Sequence, residues 1–148
     1  MPRQYCTFWI GTLLFGIPVD HVQEVIVHQR ITPVPLASES VRGLINLRGQ
    51  IVAAVDLRAC LALSVDNLVS EPRTVSIIVC TKAETLSLLV DRAGDVLDVE
   101  ESGFDPPPAT LDGIALKLLT GVYQLDSHIL HGLDVELLIG HVEAAGIV

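Results

Sequence analysis

The sequence predicts a mainly β protein built as two small five-stranded barrels side by side. Val, Ile and Leu supply much of a hydrophobic fraction of 50%, as in sheets that are buried on both faces. Apolar runs of strand length alternate with short polar breaks, which is the pattern of hairpins. One stretch of the first half also aligns with a stretch of the second half. Five short antiparallel strands per half close most economically into a barrel.

The internal repeat is clearest where Gly43–Leu61 aligns with Gly121–Ile139 without a gap. In each copy an apolar run, a polar break and a second apolar run predict a hairpin. Asp56 and Asp134 then follow as N-caps of short helices. Upstream, Ile17–Ile26 aligns with Leu88–Leu97. We therefore predict one domain over residues 1–148, made of modules at about 5–62 and 75–140, and leave open whether strands cross between them.

Each module is predicted to contain five strands. In the first module they are Tyr5–Ile10, Leu13–Ile17, a weak piece near Ile26–Val34, Leu44–Leu47 and Ile51–Val55. In the second module they are Thr74–Thr81, Thr85–Val90, Asp95–Val99, Leu118–Leu125 and Ile129–Leu133. Between the second and third strands of the first module, Pro18 can begin a helical turn with Val19, Val22 and Ile26 on one face. Residues 67–73, which are polar and contain Pro72, join the modules.

Charge and cysteine usage limit the classes of function. A formal net charge of −9 argues against nucleic-acid partners and against an anionic membrane surface, which both attract basic proteins. No apolar stretch is long enough to cross a bilayer. Cys6, Cys60 and Cys80 lie among apolar residues without CxxC spacing. They are predicted to be reduced thiols, at least two of them buried, which fits a cytoplasmic protein.

The sequence contains none of the motifs of the common catalytic mechanisms. Asp126–His128 has the residue types of a catalytic triad, but neighbours in a tight turn are expected to point apart. His128 and His131 are interpreted as surface histidines and not as zinc ligands, because an i, i+3 pair on a strand projects to opposite faces and no cysteine lies at finger spacing. The acidic run 95–105 lacks the ligand order of a calcium loop and is interpreted as a solvated face. We therefore predict no enzyme activity, no metal and no cofactor.

The segment Gly43–Gly49 places a lone arginine, Arg48, between apolar residues where a hairpin turns. One interpretation is an ordinary hairpin, with Gly49 in the left-handed region and Arg48 exposed. The other is a binding residue on a rigid turn. Glu24 allows the same two interpretations, since it would lie at the solvent edge of the predicted helical turn.

At Val41–Leu61 the sequence VRGLINLRGQIVAAVDLRACL resembles the CheW family of chemotaxis coupling proteins. The N-L-R-G turn followed by D-L-R is the most specific part of this resemblance. Further matches occur in the same order along the chain, namely Phe15–Ile17 leading into Val22–Val25, Leu89–Asp91 leading into Asp95–Leu97, and Leu119–Gly121. The resemblance implies two interlocked five-stranded SH3-like barrels with short helices.

The resemblance also implies a non-catalytic cytoplasmic adaptor. Its expected partners are the cytoplasmic tip of a chemoreceptor and the regulatory domain of a CheA-type histidine kinase. The residues implied at the receptor contact are Arg48, Glu24, Val22, Val25 and Leu86. The kinase contact is expected on a barrel end and is not assigned to residues. The alternative is a CheW-like scaffold in a pathway other than chemotaxis, such as the control of pili or gliding.

Two features depart from the family pattern. Ser87 stands where the family usually has glycine, and we expect it to crowd the groove between the barrels. Pro33 and Pro35 fall in a segment, His28–Leu36, that follows the family poorly. A further alternative, a small-molecule-binding barrel, would need a polar-lined pocket, whereas small barrels fill their interiors with side chains.

Overall fold

The structure is a computed structural model of the chain. It describes residues 2–27, 30–35, 40–63, 75–82, 84–100, 104–106 and 113–144. The predicted join at 67–73 and most of the acidic segment after Glu100 lie outside the described residues.

Short strands dominate the described part of the chain. The first half contains β1 (Pro2–Ile10), β2 (Leu13–Pro18), a 3₁₀ turn (Val19–His21), β3 (Val22–Val27), β4 (Val41–Leu47), β5 (Gln50–Asp56) and α1 (Leu57–Cys60). The second half contains β6 (Val75–Cys80), β7 (Thr85–Val90), β8 (Arg92–Glu100), β9 (Phe104–Asp105), α2 (Gly113–Leu118), β10 (Leu119–Gln124), β11 (Ile129–Leu133) and α3 (Val135–Ala144). The predicted mainly β class with short helices is confirmed.

Each sheet takes strands from both halves of the chain. The first barrel has the strand order β8-β1-β2-β11-β10-β9, and the second has the order β3-β6-β7-β5-β4. The hairpin β1–β2 from the first half therefore completes a sheet whose other strands come from the second half. The hairpin β6–β7 from the second half completes a sheet whose other strands come from the first half. The parallel pairs β11–β2 and β5–β7 join the halves within each sheet. The two barrels are interlocked.

The repeat seen in the sequence corresponds to equivalent places in the two sheets. Hairpin β4–β5 is followed by α1, and hairpin β10–β11 is followed by α3. Asp56 Oδ1 accepts from the backbone N–H of Arg58 at 3.1 Å, and Asp134 Oδ1 accepts from that of Leu137 at 3.1 Å. Both predicted N-caps are confirmed, because each side chain satisfies an N–H that has no partner within its helix.

The segment after β2 corrects two predictions. The helical turn ends at His21, and β3 begins at Val22, so the strand expected near Ile26–Val34 lies earlier than predicted. The predicted shared face of Val22 and Ile26 is also wrong, because a β-bulge lies between Val22 and Glu24. The extra residue puts Val22 and Val25 on one face, opposite Val79 and Ile77 of β6, and Ile26 on the other face. On a regular strand an i, i+3 pair such as Val22 and Val25 would face opposite ways.

Two short elements were not predicted. Helix α2 and the two-residue strand β9 follow the predicted strand Asp95–Val99 and precede most of the predicted strand Leu118–Leu125, in a stretch where no element was predicted. A helix of six residues shows too little periodicity to be found from sequence.

The core consists of one cluster between the barrels and one inside each barrel. Between the barrels, Phe8 and Phe15 stack with ring centroids 6.0 Å apart, and both are fully buried. The second barrel is filled by side chains such as Ile45 and Ile78. In the first barrel, the hydroxyls of Tyr5 and Tyr123 lie 3.2 Å apart. Each large apolar side chain that is fully buried contributes about 1.5–3 kcal/mol.

A buried ion pair ties the two halves together. Arg58 Nη2 of α1 donates to Asp91 Oδ2 at 2.7 Å, and the two side chains are 10% and 3% exposed. The same carboxylate oxygen accepts from the Gly11 N–H at 2.6 Å. Removing one partner of such a pair leaves an uncompensated charge and costs about 3–5 kcal/mol. Since both sheets and this pair need residues of both halves, we propose that the chain folds as one domain.

The cysteines form no disulfide, and two of them are buried as predicted. Cys6 and Cys60 are buried, whereas Cys80 is half-buried. Burial raises the pKa of the Cys6 thiol, and burial together with Asp56 raises the pKa of Cys60 to about 11. Both shifts disfavour the thiolate, which is the reactive form.

We expect Cys80 to react first with a thiol reagent in the native protein, with Cys6 and Cys60 reacting only as the fold opens. Mass spectrometry of the time course, with single Cys→Ser variants as controls, identifies the site. Equal labelling rates for all three thiols would contradict this assignment.

The thiol of Cys60 also makes stability depend on pH. Because Cys60 ionises near pH 9 when unfolded and near 11 when folded, its contribution makes the folded state less stable as the pH rises between these values.

Candidate functional site

The turn between β4 and β5 fixes the backbone of Arg48. Leu47 pairs with Gln50, so Arg48 and Gly49 are the two turn residues. Their φ angles are 52° and 89°, the positive values that a two-residue hairpin matching the strand twist requires. The Gly49 N–H donates to Asn46 Oδ1 at 2.8 Å. Gly49 adopts this conformation readily, whereas Arg48, which carries a Cβ, does so at a cost in free energy.

Arg48 forms a bidentate ion pair with Glu24. Nη1 donates to Oε1 at 2.6 Å and Nη2 donates to Oε2 at 2.9 Å. The Arg48 side chain is 71% exposed and that of Glu24 is 23% exposed. The hydrogen bonds and the charge of Glu24 raise the pKa of the Arg48 guanidinium. The fork geometry holds the guanidinium plane in one orientation at the surface.

The ion pair spans the two edge strands of the second barrel. Glu24 lies on β3 and Arg48 follows β4, which are the outer strands of the sheet order. Past the end of β3, Thr32 and Leu44 exchange two backbone hydrogen bonds of 2.8 Å. Glu24 shares the inward face of β3 with Ile26, which packs against the interior cluster. The pair therefore closes one end of this barrel.

Val25 and Val22 lie on the opposite face of β3 from Glu24. Val25 is 40% exposed, and Val22 is half-buried against the core between the barrels. Val27, on the same face, is 55% exposed. Strand β3 thus presents a small apolar strip on the face opposite Glu24.

Leu86, which the family resemblance implies at the receptor contact, and Ser87, which departs from the family pattern, are not at the surface. Leu86 is fully buried, opposite Val79 in the core between the barrels. Ser87 is fully buried inside the second barrel, opposite Ile78 and Ala54. The expectation that Ser87 crowds an exposed groove is therefore wrong. Among the described residues its hydroxyl has no hydrogen-bond partner.

The turn Asp126–His128 and the strand β11 that follows it correct two further interpretations. Ser127 Oγ and His128 Nδ1 are 2.9 Å apart, so these side chains do not point apart as expected. Both are exposed, and no carboxylate of the described residues hydrogen-bonds to His128, so no triad is formed. His131 is buried, with Nδ1 2.8 Å from the Leu14 carbonyl oxygen, and is not the surface histidine predicted.

Within the described ranges, no group of three or more His, Cys, Asp or Glu side chains could hold a metal ion. In the same part of the chain, no helix has the length and apolar character needed to cross a bilayer. The fixed, exposed guanidinium of Arg48 and the exposed valines on the other face of β3 suit binding rather than proton or group transfer.

Sequence and structure comparisons identify the family. A family model described as the CheW-like domain matches residues 4–143. The chain belongs to the CheW family. Chemotaxis protein CheW of Thermotoga maritima is 34% identical over 137 residues, covering 92% of this chain and 87% of the relative. Chemotaxis protein CheW of Treponema pallidum is 28% identical over 142 residues, covering 95% and 84%.

A solved structure shares the fold. The scaffolding protein TtCheW from Thermoanaerobacter tengcongensis superposes with a TM-score of 0.81 and 26% sequence identity. The match covers 93% of this chain and 92% of that chain. The interlocked SH3-like barrels implied by the sequence resemblance are confirmed.

Sequence reasoning singled out Arg48 and Glu24 without finding that they pair. Glu24 was placed on a helical turn, far from a hairpin that follows much later in the chain. Sequence reasoning also missed the buried pair Arg58–Asp91 and the contact of Arg42 with Asp56 at 3.1 Å. Opposite charges within the first module, as for Arg42 and Asp56, and between the two modules, as for Arg58 and Asp91, are the signal that could have suggested these pairs.

We expect the Arg48–Glu24 pair to contribute little to folding, and only at low ionic strength. In a double-mutant cycle with Arg48→Ala and Glu24→Gln, the coupling in unfolding free energy should be small and should vanish near 1 M salt, where the screening length is about 3 Å. The buried pair provides the control, because Arg58→Ala should destabilise the protein strongly at both salt concentrations. A coupling for Arg48 and Glu24 that does not change with salt would contradict the exposed geometry.

Proposed function

We propose that the chain is a non-catalytic cytoplasmic adaptor that couples chemoreceptors to a CheA-type histidine kinase in a signalling array. Membership of the CheW family supports the general role, as does likeness to a solved protein described as a scaffold. The observation that carries the receptor contact is the exposed guanidinium of Arg48, held by Glu24 on a rigid turn. An adaptor binds through such fixed surfaces and needs no reactive group.

The receptor contact is proposed at Arg48 and the valines of β3. The tip of a chemoreceptor is a coiled coil of helices, whose surface offers carboxylates and apolar side chains. A guanidinium has five N–H donors, and Glu24 takes one from each Nη atom. The remaining donors can bind a receptor carboxylate, while Val25 and the exposed part of Val22 take the apolar side chains.

Glu24 and Leu86 support this surface in different ways. Glu24 orients the guanidinium, so less side-chain entropy is lost when the receptor binds. Leu86 is buried beneath the surface and is proposed to hold β7 in place against the core rather than to contact the receptor.

The second partner is proposed to be the regulatory domain of the kinase, bound on a barrel end at residues that we do not assign. The net charge of −9 disfavours nucleic acid and direct insertion into an anionic membrane as further partners. The same scaffold could serve an array that controls pili or gliding. Capture of the native receptor and kinase separates the two roles, because the fold is the same in both.

We expect Arg48→Ala to weaken binding to the receptor tip by about tenfold or more, as for loss of a central interface arginine. The unfolding midpoint should stay nearly unchanged, because the side chain is exposed and its ion pair is screened. Binding to the kinase regulatory domain should also be nearly unchanged. Calorimetry with each partner measures the two affinities.

Arg3→Ala is the matched control, because Arg3 is an exposed arginine on β1 of the other barrel. It should leave receptor binding unchanged. Equal losses for both partners, a lowered unfolding midpoint, or the same loss with Arg3→Ala would mean that Arg48 is not a specific receptor contact.

A further inference from the structure

The open end of the first barrel carries acids where the second barrel carries its ion pair. The alignment of the two hairpins places Asp126 at the position of Arg48, and the alignment of the upstream segments places Asp95 at the position of Glu24. The structure agrees with both assignments. Asp126 lies in the turn closed by the bond from the Leu125 N–H to the His128 carbonyl oxygen, at 2.8 Å.

Asp95 occupies the place on β8 that Glu24 occupies on β3. The Asp95 carbonyl accepts from the Thr7 hydroxyl across the bulge between β1 and β8. Two residues further on, Leu97 packs against the interior cluster of the first barrel, just as Ile26 does in the second barrel. Since side chains two apart on a strand share a face, Asp95 also points toward the barrel end.

A cavity of about 650 Å³ lies at this end of the barrel. Its wall includes Asp95, Asp126 and a third acid, Asp98, together with the apolar side chains of Leu97 and Leu125 and the indole of Trp9. Trp9 is half-buried, and its ring meets the His128 ring edge-on with centroids 4.9 Å apart. The wall thus combines negative charge with apolar and aromatic surface.

Neither Asp95 nor Asp126 has a cationic partner in the described part of the chain. Arg92 is nearby, with its guanidinium carbon 5.0 Å from the Trp9 ring centroid, but it makes no ion pair with Asp95 or Asp126. Two unpaired carboxylates that face one cavity repel each other, so a cation placed between them relieves that repulsion. In the second barrel the corresponding carboxylate, that of Glu24, binds a guanidinium, that of Arg48.

We propose that the open end of the first barrel binds an arginine side chain presented by a partner protein. Asp95 and Asp126 accept from the guanidinium, and Leu97 and Leu125 pack against its flanking apolar residues. Trp9, whose ring Arg92 already covers, borders the site. A second copy of this chain is disfavoured, because two molecules of charge −9 repel each other. This surface is separate from the proposed receptor contact, which lies on the other barrel.

The test uses the full ¹⁵N-labelled chain and a capped peptide, acetyl-Asn-Leu-Arg-Gly-Gln-amide, which copies the turn at residues 46–50. We expect the peptide to shift the amide signals of Asp95 and Asp126 and the indole signal of Trp9. The same peptide with citrulline, a neutral isostere of arginine, should bind with an affinity that is lower by about fivefold or more. The double variant Asp95→Asn, Asp126→Asn should lose the preference for arginine, because exposed ion pairs contribute up to about 1 kcal/mol each.

Asp20→Asn is the matched control, because Asp20 is an exposed acid outside the cavity. It should keep the preference, and its spectrum and that of the double variant should remain those of a folded protein. A second variant, Asp126→Arg, should form an internal pair with Asp95, as Arg48 does with Glu24, and so block the peptide.

Three results would overturn the proposal. One is equal binding of the arginine and citrulline peptides, and another is an equal loss of preference with Asp20→Asn. The third is tighter binding of free arginine than of the capped peptide, which would indicate a small-molecule site. Failure of this test leaves the receptor contact at Arg48 untouched, because neither Arg48 nor Glu24 is changed.

Discussion

Neither half of this chain can complete a sheet without strands from the other. The hairpin β1–β2 lies between β8 and β11, and the hairpin β6–β7 lies between β3 and β5. The faces of both hairpins meet in the fully buried cluster around Phe8, Phe15 and Leu88. The buried pair Arg58–Asp91 adds a charged link between the halves, one that needs both partners to avoid an isolated charge. The strand exchange therefore makes the positions of the edge strands depend on the whole chain.

The sites at the two barrel ends follow from this arrangement. Arg48 and Glu24 are far apart in sequence and meet because the second barrel closes between β3 and β4. In the first barrel the same two places hold Asp126 and Asp95, and a cavity remains between them. A repeated module has thus kept its strands and helix caps while its charges diverged. One end holds an arginine in an ion pair, and the other carries two acids that line a cavity and have no cationic partner among the described residues.

Local sequence patterns predicted most of the strands, because hairpins and caps depend on neighbouring residues. Strand β7 and the caps Asp56 and Asp134 are of this kind. The start of β3 was wrong because Val22 and Ile26 were placed on one face of a helical turn, whereas they lie on opposite faces of a bulged strand. The pairing of Arg48 with Glu24 and the burial of His131 were missed, since both depend on which strands meet in the barrel. The resemblance to the CheW family supplied the interlocking, which periodicity cannot reveal.

The most direct test is whether the two barrels unfold together. Trp9, the only tryptophan, reports on the first barrel by fluorescence. The amide signal of Ala54, which is fully buried on β5, reports on the second barrel by NMR. If strand exchange unites the halves, both probes should give the same denaturant midpoint and the same slope. Two separate midpoints, or one barrel that keeps its signals after the other has lost them, would contradict the interlocked unit described above.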